Sequence, residues 1–219
     1  MEHTATKPDL TLPCLIHDLN NVLQTVMEAA ELLSTDPRWA PLSAAIQRSA
    51  ERGKSLAASI ESAEETSAPF ENILDNAIAF VEDSMMAGRG PKIRFEREVE
   101  PGIELRRNWA WERVLINLFS NAVRAMPGGG AIHVRALKSG GNVEIVVRDE
   151  GPGIAPAILG NIFKPHVSTS GSGLGLHIVA TIVKQENGEV RATNQTGGRG
   201  AEFTIVVPLE PVGVRSARA

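Results

Sequence analysis

Three polar residues near the start of the chain have types that could do acid–base or nucleophilic chemistry. His17, Asp18 and Asn21 lie in a segment with helical periodicity, and a rotation of about 100° per residue turns them away from its apolar stripe, into solvent. A solvated imidazole beside a carboxylate can act as a nucleophile or a proton shuttle, because the carboxylate fixes the tautomer and strengthens the other ring nitrogen. An ordinary polar helix face has the same composition, so these residues alone leave both interpretations open.

A second group of polar residues lies on one face of a later helical segment. Asn117, Asn121 and Arg124 follow one another at spacings of four and three, which places them along one side of a helix. Two carboxamide oxygens one turn apart can help to hold a hard cation that keeps waters and phosphate oxygens as its other ligands. Arg124 could contact the phosphates. Two surface asparagines on a helix are the simpler alternative for this pair taken by itself.

Two glycine-containing turns complete the chemistry-bearing residues. Asp149 ends a predicted strand and is followed by Gly151 and Gly153, where the backbone can approach a flat ligand while the carboxylate accepts from an exocyclic amine. A tight turn without a ligand is the alternative for this string by itself. Further along, a glycine-rich run opens a helix, whose free N–H groups and dipole favour a phosphate. It has no following Lys-Ser/Thr and comes late in the chain, which excludes a Walker loop and a dinucleotide fold. The candidate residues of this run are Gly171, Gly173, Leu174, Gly175 and Leu176.

The first of these groups must be positioned by a helical hairpin. Apolar spacings of four and three run over two segments, separated by a stretch that holds Pro37 and Pro41. The two predicted seams are Leu12, Ile16, Leu19, Leu23, Val26, Ala30, Leu33 and then Leu42, Ile46, Ser49, Gly53, Leu56, Ile60, Ala63. Two helices with small residues on the second seam bury little surface, so we expect two chains to pair into a four-helix bundle.

From about Pro69 the pattern changes to alternating helices and strands. It predicts helices over 71–84, 109–126 and 174–186, and strands over 93–99, 131–137, 142–149, 190–194 and 201–207. Period-two alternation at Val143, Ile145 and Val147 gives each strand one buried face, which helices would cover. The predicted fold class is therefore α+β, with a hairpin domain over 1–66, an α/β sandwich over 67–212 and a tail over 213–219.

Composition excludes several other classes of protein. The 219 residues carry a net charge of −4 and have six Phe, three Trp and no Tyr, which disfavours nucleic acid as a partner. Cys14 is the single cysteine, so an intrachain disulfide is excluded, and no apolar run is long enough for a membrane span. The first residues lack the features of a signal peptide. We therefore expect a cytoplasmic protein.

The order of these motifs resembles the transmitter region of sensor histidine kinases over nearly all of residues 10–208. The stretch 125–130 is similar to the nitrogen-regulation and hybrid-type branches of that family. The matching segments, in order, resemble the family's H box at 17–21, N box at 117–122, G1 box at 149–154, F box at 162–165 and G2 box at 171–176.

The resemblance implies a dimerisation and histidine-phosphotransfer hairpin followed by a Bergerat-type ATP-binding sandwich. It implies that His17 accepts the γ-phosphoryl group, Asp18 acts as its base, and Asn21 positions water in dephosphorylation of a partner. It also implies that Asn121 binds Mg²⁺ with help from Asn117. Asp149 would then hold the adenine amino group, and Gly173 and Gly175 would bring the lid backbone to the phosphates.

The activity implied is that of an ATP- and Mg²⁺-dependent protein histidine kinase that is a homodimer. It would phosphorylate itself on His17 and pass the group to an aspartate of a response-regulator receiver, and it could also remove that phosphate. Ser168-Thr169-Ser170 stands where relatives often have a lysine-containing lid, which leaves open a non-kinase histidine phosphotransferase or scaffold. An anti-sigma type serine kinase or another ATPase with the same domain is a third possibility. His166 is a lid contact or a surface histidine.

Overall fold

The computed structural model describes residues 12–61, 67–88, 90–167, 173–195 and 199–209. The chain divides into two compact units, Met1–Glu65 and Thr66–Ala219. In the described part of the chain, no helix combines the length and apolar character needed to cross a membrane.

The first unit is a helical hairpin, as the spacing of apolar residues predicts. Helix α1 spans Leu12–Ser34 and α2 spans Ala40–Glu61. In the turn between them, Asp36 accepts a hydrogen bond from the backbone N–H of Arg38 at 3.0 Å and, through its carbonyl, from that of Trp39 at 2.9 Å. The helices are joined further along by the buried Ser43 hydroxyl, which donates to the Ala30 carbonyl at 2.6 Å.

The two predicted seams are only partly buried within the single hairpin. On α2, Leu42 is 48% exposed within the single hairpin, and among the α2 side chains that the structure describes Ser43, Ala50 and Ala57 are fully buried. Small residues at these positions let the helices approach, and a Cβ on Gly53 would lie 2.9 Å from Leu23 Cδ1. On α1 every second member of the seam is exposed; these are Leu19, Val26 and Leu33.

The second unit is built on a mixed sheet of five strands in the order β2-β4-β5-β7-β6. Only the β2–β4 pair is parallel. The elements of this unit are β1 (Ser67–Pro69), α3 (Phe70–Gly88), β2 (Ile93–Val99), β3 (Glu104–Arg106), α4 (Asn108–Ala125), β4 (Gly130–Ser139), β5 (Asn142–Asp149), α5 (Pro156–Leu159), α6 (Gly175–Gln185), β6 (Glu189–Asn194) and β7 (Ala201–Pro208). The α+β fold class is thereby confirmed.

Helices α3, α4 and α6 form a layer whose apolar residues share one core with the sheet. Alternation explains the contribution of each strand, since Phe203, Ile205 and Val207 are buried while their neighbours face outward. Phe95 and Phe119 join sheet and helix in an edge-on contact with ring centroids 5.1 Å apart. The outer side of the sheet carries ion pairs instead, including Arg135 with Glu144 at 3.2 Å and Arg148 with Glu202. The cleft described below is lined by residues of α4 and α6 and lies on the helical side.

Three short elements were not predicted from the sequence. β1 and β3 pair antiparallel with each other outside the main sheet, and three residues are too few to display a period of two. Helix α5 begins with Pro156 at its first turn and has four residues. Longer elements follow their predicted ranges closely, because their periodic runs are long enough to define one face.

Candidate functional site

A cleft with a volume of about 500 Å³ opens in the second unit beside α4, the turn after β5 and the start of α6. Its wall is largely apolar, with a few polar groups at one end, which is the usual chemistry of a small-molecule site. Its lining includes the predicted residues Asn121, Arg124, Asp149, Gly153, Gly173, Gly175 and Leu176, and the apolar residues Ile154, Ile158, Ile162, Val167 and Phe203. Three sequence-distant motifs thus meet at one cleft.

Asp149 is the buried carboxylate of this cleft. Its side chain is 5% exposed, and its Oδ1 accepts from the backbone N–H of Gly151 at 2.8 Å and of Ala201 at 3.2 Å. Among the described residues no donor reaches Oδ2. Burial raises the pKa of Asp149 above its usual value of 3.8, against the opposing effect of the two backbone hydrogen bonds. The site therefore presents one anchored oxygen and one oxygen able to accept from a ligand.

The polar residues of α4 lie along the helix as their spacing predicts. Arg124 donates to Asn121 Oδ1 and, at 3.3 Å, to the Ser120 carbonyl. Asn121 lines the cleft. Asn117 donates to the Arg113 carbonyl at 2.7 Å, and its Oδ1 would lie 2.8 Å from a Cβ on Gly175. Asn117 thus contacts the beginning of α6, whereas Asn121 and Arg124 face the cleft.

This donor set fits a cation that brings most of its own ligands. Carboxamide oxygens are hard, neutral ligands of the kind that Mg²⁺ accepts alongside water and phosphate oxygens. Within the ranges that the structure describes, no three His, Cys, Asp or Glu side chains converge to hold a metal by themselves. Asn121, with Asn117 beside it, could therefore complete the shell of a magnesium ion that arrives with a phosphate ligand.

The glycine-rich run meets the preceding segment at the edge of the cleft. The backbone N–H of His166 donates to the Gly173 carbonyl at 3.1 Å. Gly173 has a φ of +67°, and a Cβ on it would lie 2.6 Å from the His166 carbonyl carbon, so only glycine fits this contact. Helix α6 begins at Gly175, Leu174 is exposed and Leu176 is half-buried. The predicted residue Gly171 lies outside the described residues.

His177 anchors the same region from α6. Its Nδ1 lies 3.1 Å from the carbonyl oxygen of Phe163, so the tautomer that carries a proton on Nδ1 can donate to it. This contact and the bond between His166 and Gly173 join the two segments that flank residues 168–172. His177 therefore has a structural role in this region. His166 itself is exposed.

Sequence reasoning missed two residues that hold the turn after β5. Gln195 Nε2 donates to the Asp149 carbonyl oxygen at 2.9 Å, and Asn194 makes two hydrogen bonds to Ile154. These partners are 46 and 40 residues apart in the chain. The available signal was Asn194 at the end of a predicted strand, on the side that Val190 and Ala192 fill with apolar residues.

The three candidate residues of the first unit lie on α1. Asp18 and Asn21 are exposed, as predicted, and the Asn21 carbonyl accepts a hydrogen bond from Thr25 Oγ1 at 3.1 Å. His17 belongs to the helix, but its side chain lies outside the described part of the structure. The helix therefore presents polar groups to solvent at the position where the sequence predicts phosphoryl chemistry.

Comparison with known proteins shows which family the second unit is similar to. Residues 107–211 match the family described as histidine kinase-, DNA gyrase B-, and HSP90-like ATPase. The sensor histidine kinase ZraS of Escherichia coli K12 is 42% identical over 99 residues, which are 44% of this chain and 21% of that protein. The sensor kinase CckA of Brucella abortus is 29% identical over 89% of this chain and 23% of its own length. The chain thus spans about a fifth of these relatives.

The chain is also similar in fold to solved structures of sensor histidine kinases. The mycobacterial sensor histidine kinase MprB matches with a TM-score of 0.59 and 27% identity, over 68% of this chain and 99% of that chain. Full-length ShkA in complex with AMPPNP matches with a TM-score of 0.63 and 27% identity, over 93% of this chain and 46% of that chain.

Proposed function

Because residues 107–211 match the family described as histidine kinase-, DNA gyrase B-, and HSP90-like ATPase, we propose that the chain is the transmitter of a two-component sensor kinase. It takes a phosphoryl group from ATP onto His17 and passes it to an aspartate of a response-regulator receiver, which is a cytoplasmic reaction. The observation that carries this proposal is the meeting of buried Asp149, its apolar surroundings and Asn121 around one cleft.

Asp149 and the apolar wall suit an adenine base. A flat ring can lie between Ile154, Ile158 and Phe203, while its exocyclic amine donates to Asp149 Oδ2. The buried carboxylate accepts such a bond strongly, because a hydrogen bond to a charged group in a dry site is worth about 1.5–3 kcal/mol. Asp149 is only 5% exposed, and this burial raises its pKa. Asp149 is therefore our candidate for base recognition.

Asn121, Asn117 and Arg124 suit the phosphate end of the nucleotide. Bound Mg²⁺ would neutralise charge on the phosphates, and the two asparagines are the residues that would hold it. Arg124 can leave Asn121 Oδ1 and donate to a phosphate oxygen through its planar guanidinium. The first amides of α6, at Gly175 and Leu176, add donors where the helix dipole favours negative charge. Phosphoryl transfer depends mainly on alignment and charge neutralisation of this kind.

His17 is the proposed acceptor of the phosphoryl group. An imidazole nitrogen forms a bond to the γ-phosphorus, the bond from phosphorus to the β–γ bridging oxygen breaks, and ADP leaves. Asp18, the next residue on α1, takes the imidazole proton. When the receiver is dephosphorylated, the exposed Asn21 carboxamide could orient a water molecule toward its aspartyl phosphate. Support for the role of His17 comes from CckA and ShkA, which match over 89% and 93% of this chain and thus over both of its units.

We further propose that the hairpin acts as a homodimer. Helix α1 carries a continuous apolar stripe that α2 leaves exposed within one chain. The stripe consists of Leu19, Val22, Val26 and Leu33. Their spacing matches the seam of a helical bundle, in which a second hairpin would cover them. A four-helix bundle would bury this apolar stripe of α1, which the single hairpin leaves exposed.

Nucleotide binding distinguishes a histidine kinase from the alternative, a histidine phosphotransferase without kinase activity. Titration of the full chain with AMPPNP and Mg²⁺ in a calorimeter should give saturable binding that Asp149→Asn weakens. Thr193→Ala, an exposed change on β6, is the matched control. If the native chain binds no nucleotide yet takes up a phosphoryl group from a phosphorylated receiver through His17, the chain is a histidine phosphotransferase and the kinase proposal is wrong.

A further inference from the structure

Asn194 lies at the end of β6, with its side chain turned toward the helical side of the sheet. The residues two and four positions before it, Ala192 and Val190, pack against the core, and a strand directs every second side chain to the same side. A carboxamide therefore occupies a position that the strand otherwise gives to apolar residues. Its partner is the turn that follows Asp149.

The carboxamide of Asn194 holds both backbone groups of Ile154. The Ile154 N–H donates to Asn194 Oδ1 at 2.7 Å, and Asn194 Nδ2 donates to the Ile154 carbonyl at 2.8 Å. A Cβ on Gly153 would lie 2.7 Å from the same Oδ1, so the side chain is packed closely against the turn. Two bonds from one planar group fix both the position and the orientation of the peptide they hold. Ile154 lines the cleft.

The next residue holds the other end of the same turn. Gln195 Nε2 donates to the Asp149 carbonyl at 2.9 Å, and its backbone N–H donates to the Gly200 carbonyl at 3.1 Å. Asn194, the last residue of β6, and Gln195, which follows it, thus hold residues 154 and 149. Residue 149 carries the carboxylate of the cleft, and residue 154 is part of its apolar wall. The distance between the Asp149 carboxylate and the Ile154 side chain depends on these hydrogen bonds.

We propose that Asn194 is a positioning residue that sets the base selectivity of the cleft. It holds the Ile154 wall at the distance from Asp149 that an adenine ring requires. This inference rests on the proposed function, because it assumes a nucleotide in the cleft. Asn194 does not touch the reacting phosphates in this account, so its loss should change base recognition and leave the phosphate end intact.

The test measures the affinities of the full chain for AMPPNP and GMPPNP with Mg²⁺. Asn194→Ala should weaken AMPPNP binding about five- to tenfold, a change of the size that one ordinary hydrogen bond contributes, with a smaller effect on GMPPNP. The preference for adenine therefore falls. Asn194→Asp is the second test variant, for use if the alanine variant folds poorly, because aspartate has nearly the same shape as asparagine. It also reduces the preference, since it sets a carboxylate oxygen against the Ile154 carbonyl. Thr193→Ala, exposed on the neighbouring position, should match the native chain.

The outcomes separate the inference from the function on which it rests. If the native chain binds neither analogue, the proposed function fails and the inference fails with it. If the native chain prefers AMPPNP and the Asn194 variants keep both affinities within twofold, the inference is overturned and the function stands. Equal weakening of both analogues also overturns it, because a purely structural residue would lower both affinities alike.

Discussion

The backbone of Gly200 lies directly against the carbonyl oxygen of Asp149. A Cβ built on Gly200 would come within 1.8 Å of that oxygen, and the glycine has a φ of +124°. No other residue can occupy this position without moving either the start of β7 or the end of β5. Since Ala201 N–H also donates to Asp149 Oδ1, such a movement would reach the carboxylate of the cleft.

Gly200→Ala should therefore destabilise the second unit and weaken nucleotide binding. We expect a loss of about 2 kcal/mol or more in the free energy of unfolding, from overpacking together with a left-handed backbone that alanine disfavours. Chemical denaturation followed by circular dichroism measures the loss. Gly128→Ala is the matched control, because a Cβ there meets nothing within 4 Å. Equal stability of the two variants would contradict the contact described here.

Asp149→Asn should bind nucleotide less tightly while folding more stably at neutral pH. The asparagine oxygen can keep the backbone bonds to Gly151 and Ala201, but the variant offers an amide in place of the second carboxylate oxygen. We expect affinity for AMPPNP to fall about 10- to 100-fold. Thermal melting at pH 7 should give a higher Tm for the variant, because no charge is buried. A lower Tm would mean that the ionised carboxylate stabilises the fold.

The raised pKa of Asp149 also predicts a pH dependence. Since burial raises the pKa of the folded state above 3.8, the folded protein binds the proton more tightly than the unfolded chain. The contribution of this group to stability is therefore largest at acid pH, and it declines as pH rises from the unfolded to the folded pKa. Comparing Tm against pH for the native chain and Asp149→Asn isolates the effect. The gain of the variant should shrink toward acid pH, and a constant gain would contradict the assignment.

Asn121→Ala should remove the dependence of nucleotide affinity on Mg²⁺. The loss of a hard ligand should lower the affinity for AMPPNP with Mg²⁺ at least about tenfold, since even outer partners of metal ligands contribute that much. Affinity in excess chelator should change little. Titrations with and without Mg²⁺ measure both values, and Asn161→Ala, an exposed asparagine elsewhere in the same unit, is the control. An unchanged response to Mg²⁺ would exclude Asn121 as a ligand.

Val22→Glu should convert a dimer into a monomer. Val22 is 60% exposed within one hairpin and lies in the apolar stripe of α1, where a second hairpin would bury an unpaired charge at high cost. Leu32→Glu provides the control, since Leu32 is 75% exposed and lies about 100° around the helix from the stripe. Sedimentation at micromolar concentration should give dimers for the native chain and for Leu32→Glu. A monomeric native chain would contradict the proposed bundle.

Long elements were predictable from the sequence because each repeats its pattern over several turns or residues. The five strands of the main sheet and the helices over it follow that rule. On α2 the contact between the Ser43 hydroxyl and the Ala30 carbonyl could not be predicted, because a serine beside Leu42 adds nothing to the apolar pattern. β1 and β3 depend on pairing with each other and carry no local pattern.

The site was predictable where its chemistry is local in the chain. Asn121, Arg124 and Asp149 belong to motifs whose spacing is visible in the sequence, and all three line the cleft. The hydrogen bonds of Asn194 to Ile154 could not be anticipated, because they join segments 40 residues apart. Only the alternation of β6, which turns Asn194 to the helical side, gives a hint of such a contact.

Transfer of the γ-phosphoryl group of ATP to His17 is the most direct test of the proposed kinase. The full chain is incubated with γ-labelled ATP and Mg²⁺, beside His17→Ala and the control His133→Ala, whose side chain lies on the outer side of the sheet near Glu96. We predict label that is labile in acid and stable in alkali, present in the native chain and in His133→Ala, and absent in His17→Ala. Acid-stable label, or label that persists in His17→Ala, would contradict the account.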